Sequence, residues 1–313
     1  MKNNWFFFNV LLFCCIANYS FSQGCSDAGL CSAGASGTYI ESDSSAKNLN
    51  VVIGYGIGEQ KVSIWQVVPE LEFRFDNRNS FQVKLPFIST SGNLGNNIGV
   101  GDLVFSYSRI VTNNNKWFFS SFMGMKLSTG KTNKISDNQY SLPLVYQSGL
   151  GSTDLIIGAL LNYKEWNFSV GYQHILNHNN KNEFLNTDFP ASSEEAAYFS
   201  SRRLKRGNDG LLRVEKKFNF NKLSVAPGVL GIYRLNKDKI VADSDKLVGV
   251  QFSDGLTLNL TTSISLKVSN RVRFQILVGG PVIVRKSRSD GLTRSLVINS
   301  GINYTFNRRK KSL

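Results

Sequence analysis

The chain has 313 residues, of which 12% are aromatic and 27 are glycine, and its formal net charge is +14. Past the amino terminus it holds no run of about eighteen apolar residues, which excludes a transmembrane helix. Excess basic charge suits nucleic acid or anionic lipid head groups, and the export signal described next turns the expectation to lipid and away from nucleic acid.

Lys2 precedes an apolar run from Trp5 to Ile16, broken by Asn9, and Ser20-Phe21-Ser22 places small residues where a signal peptidase reads them. Residues 1–22 read as a secretory signal peptide. Residues 23–48 are rich in Ser, Gly, Ala and Asp without strand periodicity; they are expected to form a periplasmic segment or a plug inside a lumen. Cys25 and Cys31, separated by Ser-Asp-Ala-Gly-Leu, are a disulfide candidate in an oxidising compartment.

From there on one unit repeats: an alternating segment, a polar turn, another alternating segment, a longer connector. About twelve segments are predicted, at 49–57, 61–75, 80–90, 98–111, 116–128, 149–163, 166–177, 209–219, 222–235, 248–268, 271–285 and 291–306. Asp76-Asn77-Arg78-Asn79, Thr112-Asn113-Asn114-Asn115, Lys164-Glu165, Asn219-Phe220-Asn221 and Ser269-Asn270 read as tight turns. The connectors near 129–148, 178–208 and 236–247 are long, and those near 58–60, 91–97 and 286–290 are shorter. An even strand count leaves both ends on one side, so tight turns and termini are expected in the periplasm and long loops outside.

The alternation is cleanest in the tenth segment, where Leu256, Leu258, Leu260, Thr262, Ile264, Leu266 and Val268 oppose Thr257, Asn259, Thr261, Ser263, Ser265 and Lys267. Trp117, Tyr163, Trp166, Tyr304 and Phe306 stand near segment ends, the positions of an interfacial girdle. The fold class expected is all-β: a transmembrane antiparallel up-and-down β-barrel of about 12 strands at 49–306, after a cleaved signal peptide. A basic tail, 307–313, follows.

The polar face then lines an interior. Glu70, Glu72 and Arg74, then Arg213, Glu215 and Lys217, then Lys267 and Arg273 are lumen-lining candidates, placed either to guide a solute or to pair and fill the barrel. Arg202, Arg203, Lys205 and Arg206 close the longest connector and are candidates for lipopolysaccharide phosphates, unless Glu183, Asp188, Glu194 and Glu195 balance them. No cofactor or metal is called for. Gly130-Lys131-Thr132 lies one residue too far from Gly124 for a phosphate-binding loop, and His174 and His178, four apart, have a helical metal spacing on what reads as a strand. His174 shares outward parity with Trp166, but Leu176 stands where a barrel hydrolase would need its serine, so no enzyme is expected.

Gly99-Val100-Gly101-Asp102, Lys126-Leu127-Ser128-Thr129-Gly130 and Gly149-Leu150-Gly151-Ser152-Thr153-Asp154 occur in that order. Together they resemble the outer-membrane family linked to meta-pathway phenol degradation, with Val100 where that family has Leu and Ser128 where it has Pro. The resemblance implies a barrel related to the hydrophobic-compound and fatty-acid channels. The expectation is therefore an outer-membrane channel of a Gram-negative bacterium for passive passage of small hydrophobic or aromatic solutes, with a non-conducting structural or surface-interaction barrel as the alternative. Expected partners are outer-membrane lipid, lipopolysaccharide, the barrel-insertion machinery and an unidentified small solute.

Overall fold

A computed structural model describes residues 47–114, 116–291 and 294–306. The signal peptide, Cys25, Cys31, the segment up to residue 46 and the basic tail lie outside the described residues. The strands are β1 Lys47–Ile57, β2 Ser63–Arg74, β3 Asn79–Lys84, β4 Phe87–Gly92, β5 Gly95–Val100, β6 Leu103–Asn113, β7 Trp117–Leu127, β8 Ser152–Tyr163, β9 Trp166–His178, β10 Asp209–Lys216, β11 Phe218–Phe220, β12 Leu223–Arg234, β13 Lys239–Val241, β14 Leu247–Gly249, β15 Gly255–Lys267, β16 Val272–Ile283 and β17 Leu296–Phe306.

Sequential antiparallel pairing runs round the sheet, and β1 pairs with both β2 and β17, which closes a 12-strand barrel. Three wall strands are interrupted. β3 and β4 form one wall strand broken at Leu85-Pro86, because Pro86 has no N–H for the ladder. β5 and β6 break opposite it, where the Gly101 N–H donates to the Pro86 carbonyl at 2.7 Å. β10 and β11 break at Lys217, whose N–H turns to the Glu165 carbonyl at 2.7 Å. The turns Lys164-Glu165 and Asn221-Lys222 carry positive φ at Lys164 (52°) and Asn221 (55°), as two-residue hairpin turns demand.

Because side chains alternate, each wall strand has an outer and an inner face. The outer face is apolar and exposed, with Ile53, Leu71, Val170, Leu212, Leu260 and Ile302 among its large uncovered side chains. Aromatic rings collect at both rims. Trp117 stacks on Tyr163 at 4.1 Å and Tyr304 meets Phe306 at 4.7 Å at the tight-turn end, while Tyr55 packs on Trp65 at 4.7 Å at the other. An apolar band between aromatic belts is the surface that a bilayer accepts.

The interior is filled unevenly. At the long-connector end Val62, Ile64, Leu94, Leu142, Val145, Tyr146, Phe184 and Tyr198 form a buried cluster, and each such side chain removed from water contributes about 1.5–3 kcal/mol. Most of it comes from connectors folded back into the barrel mouth. The expected 236–247 connector and the start of the tenth segment need correction: Lys239–Val241 and Leu247–Gly249 pair as a small separate hairpin, and the wall strand begins only at Gly255. The expected loop at 91–97 is also mostly strand, with a tight turn where Gly92 pairs with Gly95.

Candidate functional site: a lumen cavity beneath a pinned loop

The connector from β7 to β8 enters the barrel, and residues 142–150 are buried without a break. Three separate stretches of sequence hold it. Asp102, in the break between β5 and β6, accepts the Gly130 N–H at 3.0 Å through Oδ1, and the Leu150 N–H at 3.2 Å and Lys126 Nζ at 3.1 Å through Oδ2. Lys126 Nζ also donates to the Ser152 carbonyl at 2.6 Å and lies 3.3 Å from Asp154. Thr129 Oγ1 donates to the Gly101 carbonyl and accepts from the Leu103 N–H, both at 2.9 Å.

The glycines are needed because two backbones cross there. A Cβ on Gly149 would fall 2.6 Å from the Gly130 carbonyl carbon and oxygen, and one on Gly130 would fall 2.6 Å from the Gly149 Cα. Only a residue without a side chain fits so close an approach. The three glycine-containing motifs noted in the sequence are thus one knot, and the knot seats Leu144–Leu150 inside the barrel. Tyr146 fixes the tip: its carbonyl accepts from Thr90 Oγ1 at 3.1 Å and Asn97 Nδ2 at 2.8 Å, and its hydroxyl lies 3.0 Å from that of Tyr198.

Beyond the knot, charges alternate across the mouth. Asp154 lies 3.8 Å from Arg206, Arg206 donates to Asp209 at 3.1 Å, and Asp209 accepts from Arg234 at 2.6 Å. Arg234 continues to Asp238 and, at 2.9 Å, to Asp290, which also accepts from Arg285 at 3.1 Å. These side chains are at most 3% exposed, so each charge depends on its neighbours for solvation. Burial alone would push the Asp290 carboxyl up, but the Arg285 and Arg234 guanidiniums outweigh it and hold it well below the usual carboxylate range.

Under the seated loop lies a cavity of about 240 Å³. Its apolar lining includes Val52, Val68, Ile88, Val104, Leu144, Val145, Leu150 and Ala226, and its polar lining includes Glu70, Lys84, Asn167, Arg213, Glu215, Lys217, Ser263 and Gln275. Of the eight lumen candidates, Glu70, Arg213, Glu215 and Lys217 border this cavity. Glu72, Arg74, Lys267 and Arg273 share the same inward parity nearer the tight turns. Glu70 lies 3.0 Å from Lys84 and accepts from Asn50 at 2.8 Å, Glu72 lies 3.4 Å from Arg74, and Arg213 donates to Glu215 at 2.6 Å.

The basic cluster expected to meet lipopolysaccharide is divided. Arg206 is corrected: it is buried and committed to Asp209 and Asp154, so it reaches no lipid phosphate. Arg202 and Arg203 both donate to Glu183, at 2.9 and 2.7 Å, and Lys205 is exposed. Sequence reasoning did not single out Asp102, Lys126, Asp154, Asp209, Arg234, Asp238, Arg285 or Asp290 as a set. The available signal was charge at inward or strand-end positions flanked by glycine, as in Gly101-Asp102 and Asp290-Gly291. Among the described residues no group of acidic, histidine or cysteine side chains is arranged to hold a metal.

No protein-family model and no curated protein matches the chain. Among solved structures it is similar to an outer membrane channel from Pseudomonas putida F1, with TM-score 0.58 and 14% identity over 86% of this chain and 98% of that one. Lower likenesses are to the KdgM porin (TM-score 0.44, 10% identity, 83% and 99% covered) and the NanC porin (0.44, 11%, 83% and 100%). At these identities the likeness is one of fold, and the fold is that of the outer-membrane β-barrels.

Proposed function

We propose that the protein is an outer-membrane channel for passive passage of small solutes. The carrying observation is the cavity within a closed barrel, lined by both charged and apolar side chains and capped by a loop of the chain itself. The apolar lining and the resemblance to the phenol meta-pathway family favour a hydrophobic or aromatic solute. The apolar outer band and its aromatic belts support the bilayer location. In this reading the tight turns and both termini are periplasmic, the long connectors face outward, a signal peptide has been removed, and the barrel-insertion machinery reads the closing strand. Lys205, with Arg202 and Arg203, would meet lipopolysaccharide phosphates at the outer rim. The protein acts without catalysis.

A second reading, a non-conducting structural or surface-interaction barrel, is favoured by the mouth itself, where the apolar cluster and the alternating charges are packed and buried. Liposome swelling and planar-bilayer conductance of the refolded protein separate the two. Measurable permeability supports the channel, and none to any solute, even with residues 23–46 deleted, leaves the structural barrel.

A further inference from the structure

We infer that Lys205, Lys237 and Lys239 form a lipid-phosphate site on the outside of the barrel, with the phosphorylated head group of lipopolysaccharide as its occupant. The inference rests on the reading that the long connectors face outward, and it deepens that reading by naming where the lipid is held. Its basis is a backbone pairing that sets two lysines side by side above an apolar strip of the outer wall.

Past Arg234 the pairing of β10 with β12 continues beyond the wall. The Leu235 N–H donates to the Asn208 carbonyl at 2.9 Å, and the Lys205 and Lys239 N–H groups then each donate to the other's carbonyl, at 2.7 and 2.8 Å. Residues that exchange both bonds carry their side chains on one side of the sheet, with Cα atoms about 5.5 Å apart. That side is the outer one, because the residues flanking the two lysines turn inward. Leu204, Arg206 and Asp238 are buried, and Ile240 packs against the cluster of Leu144, Leu150 and Leu204. Lys205 and Lys239 are both exposed. Lys237 adds a third ammonium. Gly249 pairs with Lys239 on its other flank, and a Cβ there would lie 4.0 Å from Lys237 Cδ, so the Lys237 stem lies over Gly249 beside Lys239.

Like charges directly opposite on neighbouring strands destabilise the pairing unless an anion joins them. Among the described residues none of the three lysines has a carboxylate within ion-pair distance, and Lys237 donates to the neutral Gln251 Oε1 at 3.1 Å. The nearby acids are engaged elsewhere. Glu183 accepts from Arg202 and Arg203, Asp245 lies 3.6 Å from Arg202, and Asp238 is turned inward to Arg234 and Arg285. A phosphate among the lysines would take charge-assisted bonds from each. The neighbouring surface makes it a lipid phosphate. Tyr233, Leu235, Lys237 and Lys239 are exposed at alternate positions, while Arg234 and Asp238 between them are buried, so one outward strip passes from apolar to basic. Leu256, opposite Tyr233 in the register, and Leu212 widen its apolar part. A molecule with phosphate above and acyl chains below matches both parts, and a free phosphate matches the upper one alone.

The test titrates the full chain, refolded in non-ionic detergent, with lipopolysaccharide and with the same lipopolysaccharide stripped of phosphate, and reads affinity by calorimetry. A lysine at an anionic lipid surface is worth about fivefold in affinity, so K205Q/K239Q should bind about 25-fold more weakly and K205R/K239R about as well as the native protein. R202Q/R203Q, whose charges already face Glu183, and K116Q, at the tight-turn end, should change affinity less than about threefold. Heat-modifiable migration on gels confirms that each variant folds, and K239Q alone, with about a fivefold loss, replaces the double variant if that one does not. Unchanged affinity in K205Q/K239Q, equal binding of the phosphate-free lipid, or displacement of the lipid by an equal concentration of inorganic phosphate would overturn the inference. Orientation is read separately, from labelling of K246C, on the same hairpin, by a membrane-impermeant maleimide in excess of the native chain. Label that requires cell lysis removes the outward reading and the inference with it, whereas label on intact cells with no loss of affinity in K205Q/K239Q overturns the site alone.

Discussion

Asp102→Ala is the sharpest probe of the loop that caps the cavity. The substitution deletes the acceptor of two backbone N–H groups, Gly130 and the buried Leu150, and one of the two carboxylates that face Lys126. A buried donor left unpaired costs about 1–3 kcal/mol, and a buried ion pair broken from one side costs about 3–5 kcal/mol, the terms overlapping rather than adding. Lys126 keeps Asp154 and the Ser152 carbonyl, so a total of about 3–5 kcal/mol is expected. Urea unfolding of the protein in lipid vesicles, followed by tryptophan fluorescence, reads this directly. A double-mutant cycle with Lys126→Met should give a coupling above about 1 kcal/mol. A native-like D102A variant that loses less than about 1 kcal/mol, or a cycle with no coupling, would refute the argument that this carboxylate pins the loop.

Other predictions follow from single positions. Gly149→Val places a side chain into the Gly130 carbonyl and should abolish the heat-modifiable form on gels, whereas Gly210→Ala, whose nearest neighbour would lie 4.0 Å away, should leave it intact. Arg234→Met removes the guanidinium that Asp209, Asp238 and Asp290 share, leaving Arg206 and Arg285 to face three buried carboxylates, and should lower unfolding free energy by about 3–5 kcal/mol in the same urea assay. Burial pushes the Glu59 carboxyl up to about 8, against the Phe199 N–H and the Arg288 charge, which pull it down. The fold therefore prefers the neutral acid, so its contribution is full below the unfolded value of 4.5 and is lost as pH rises to about 8. The loss is at most about 1.4 kcal/mol per pH unit, and thermal melts of Glu59→Gln should lack this decline between those limits.

The wall was legible because its signals are local. Period-two alternation and short polar turns depend on neighbours in sequence, and they located strands such as Gly255–Lys267 and turns such as Lys164-Glu165. The interruptions at Pro86, Gly101 and Lys217 were less visible, since alternation carries across a break that one missing ladder bond creates. The hairpin at Lys239–Val241 and Leu247–Gly249 was partly read as wall because its residues are as β-prone as those of a barrel strand. Arg206 was misplaced for another reason. A basic run in a polar connector reads as exposed, and its burial depends on Asp154 and Asp209, which pairing brings near and spacing does not reveal. The convergence of Asp102, Lys126 and Gly149 is likewise a property of three connectors meeting in space.

The seam between β1 and β17 pairs Lys47 with Phe306 and Ile57 with Leu296 in unbroken register. Its two strands come from opposite ends of the described chain, so bringing them together carries the largest loop-closure cost in the barrel. Every other wall pairing joins strands that are neighbours in chain order and can form first as hairpins. The seam therefore forms last, and the rate at which the barrel closes reports on this one contact. Until then the ladder groups of β1 and β17 stand as two open edges, each a template for the other and for any stray strand.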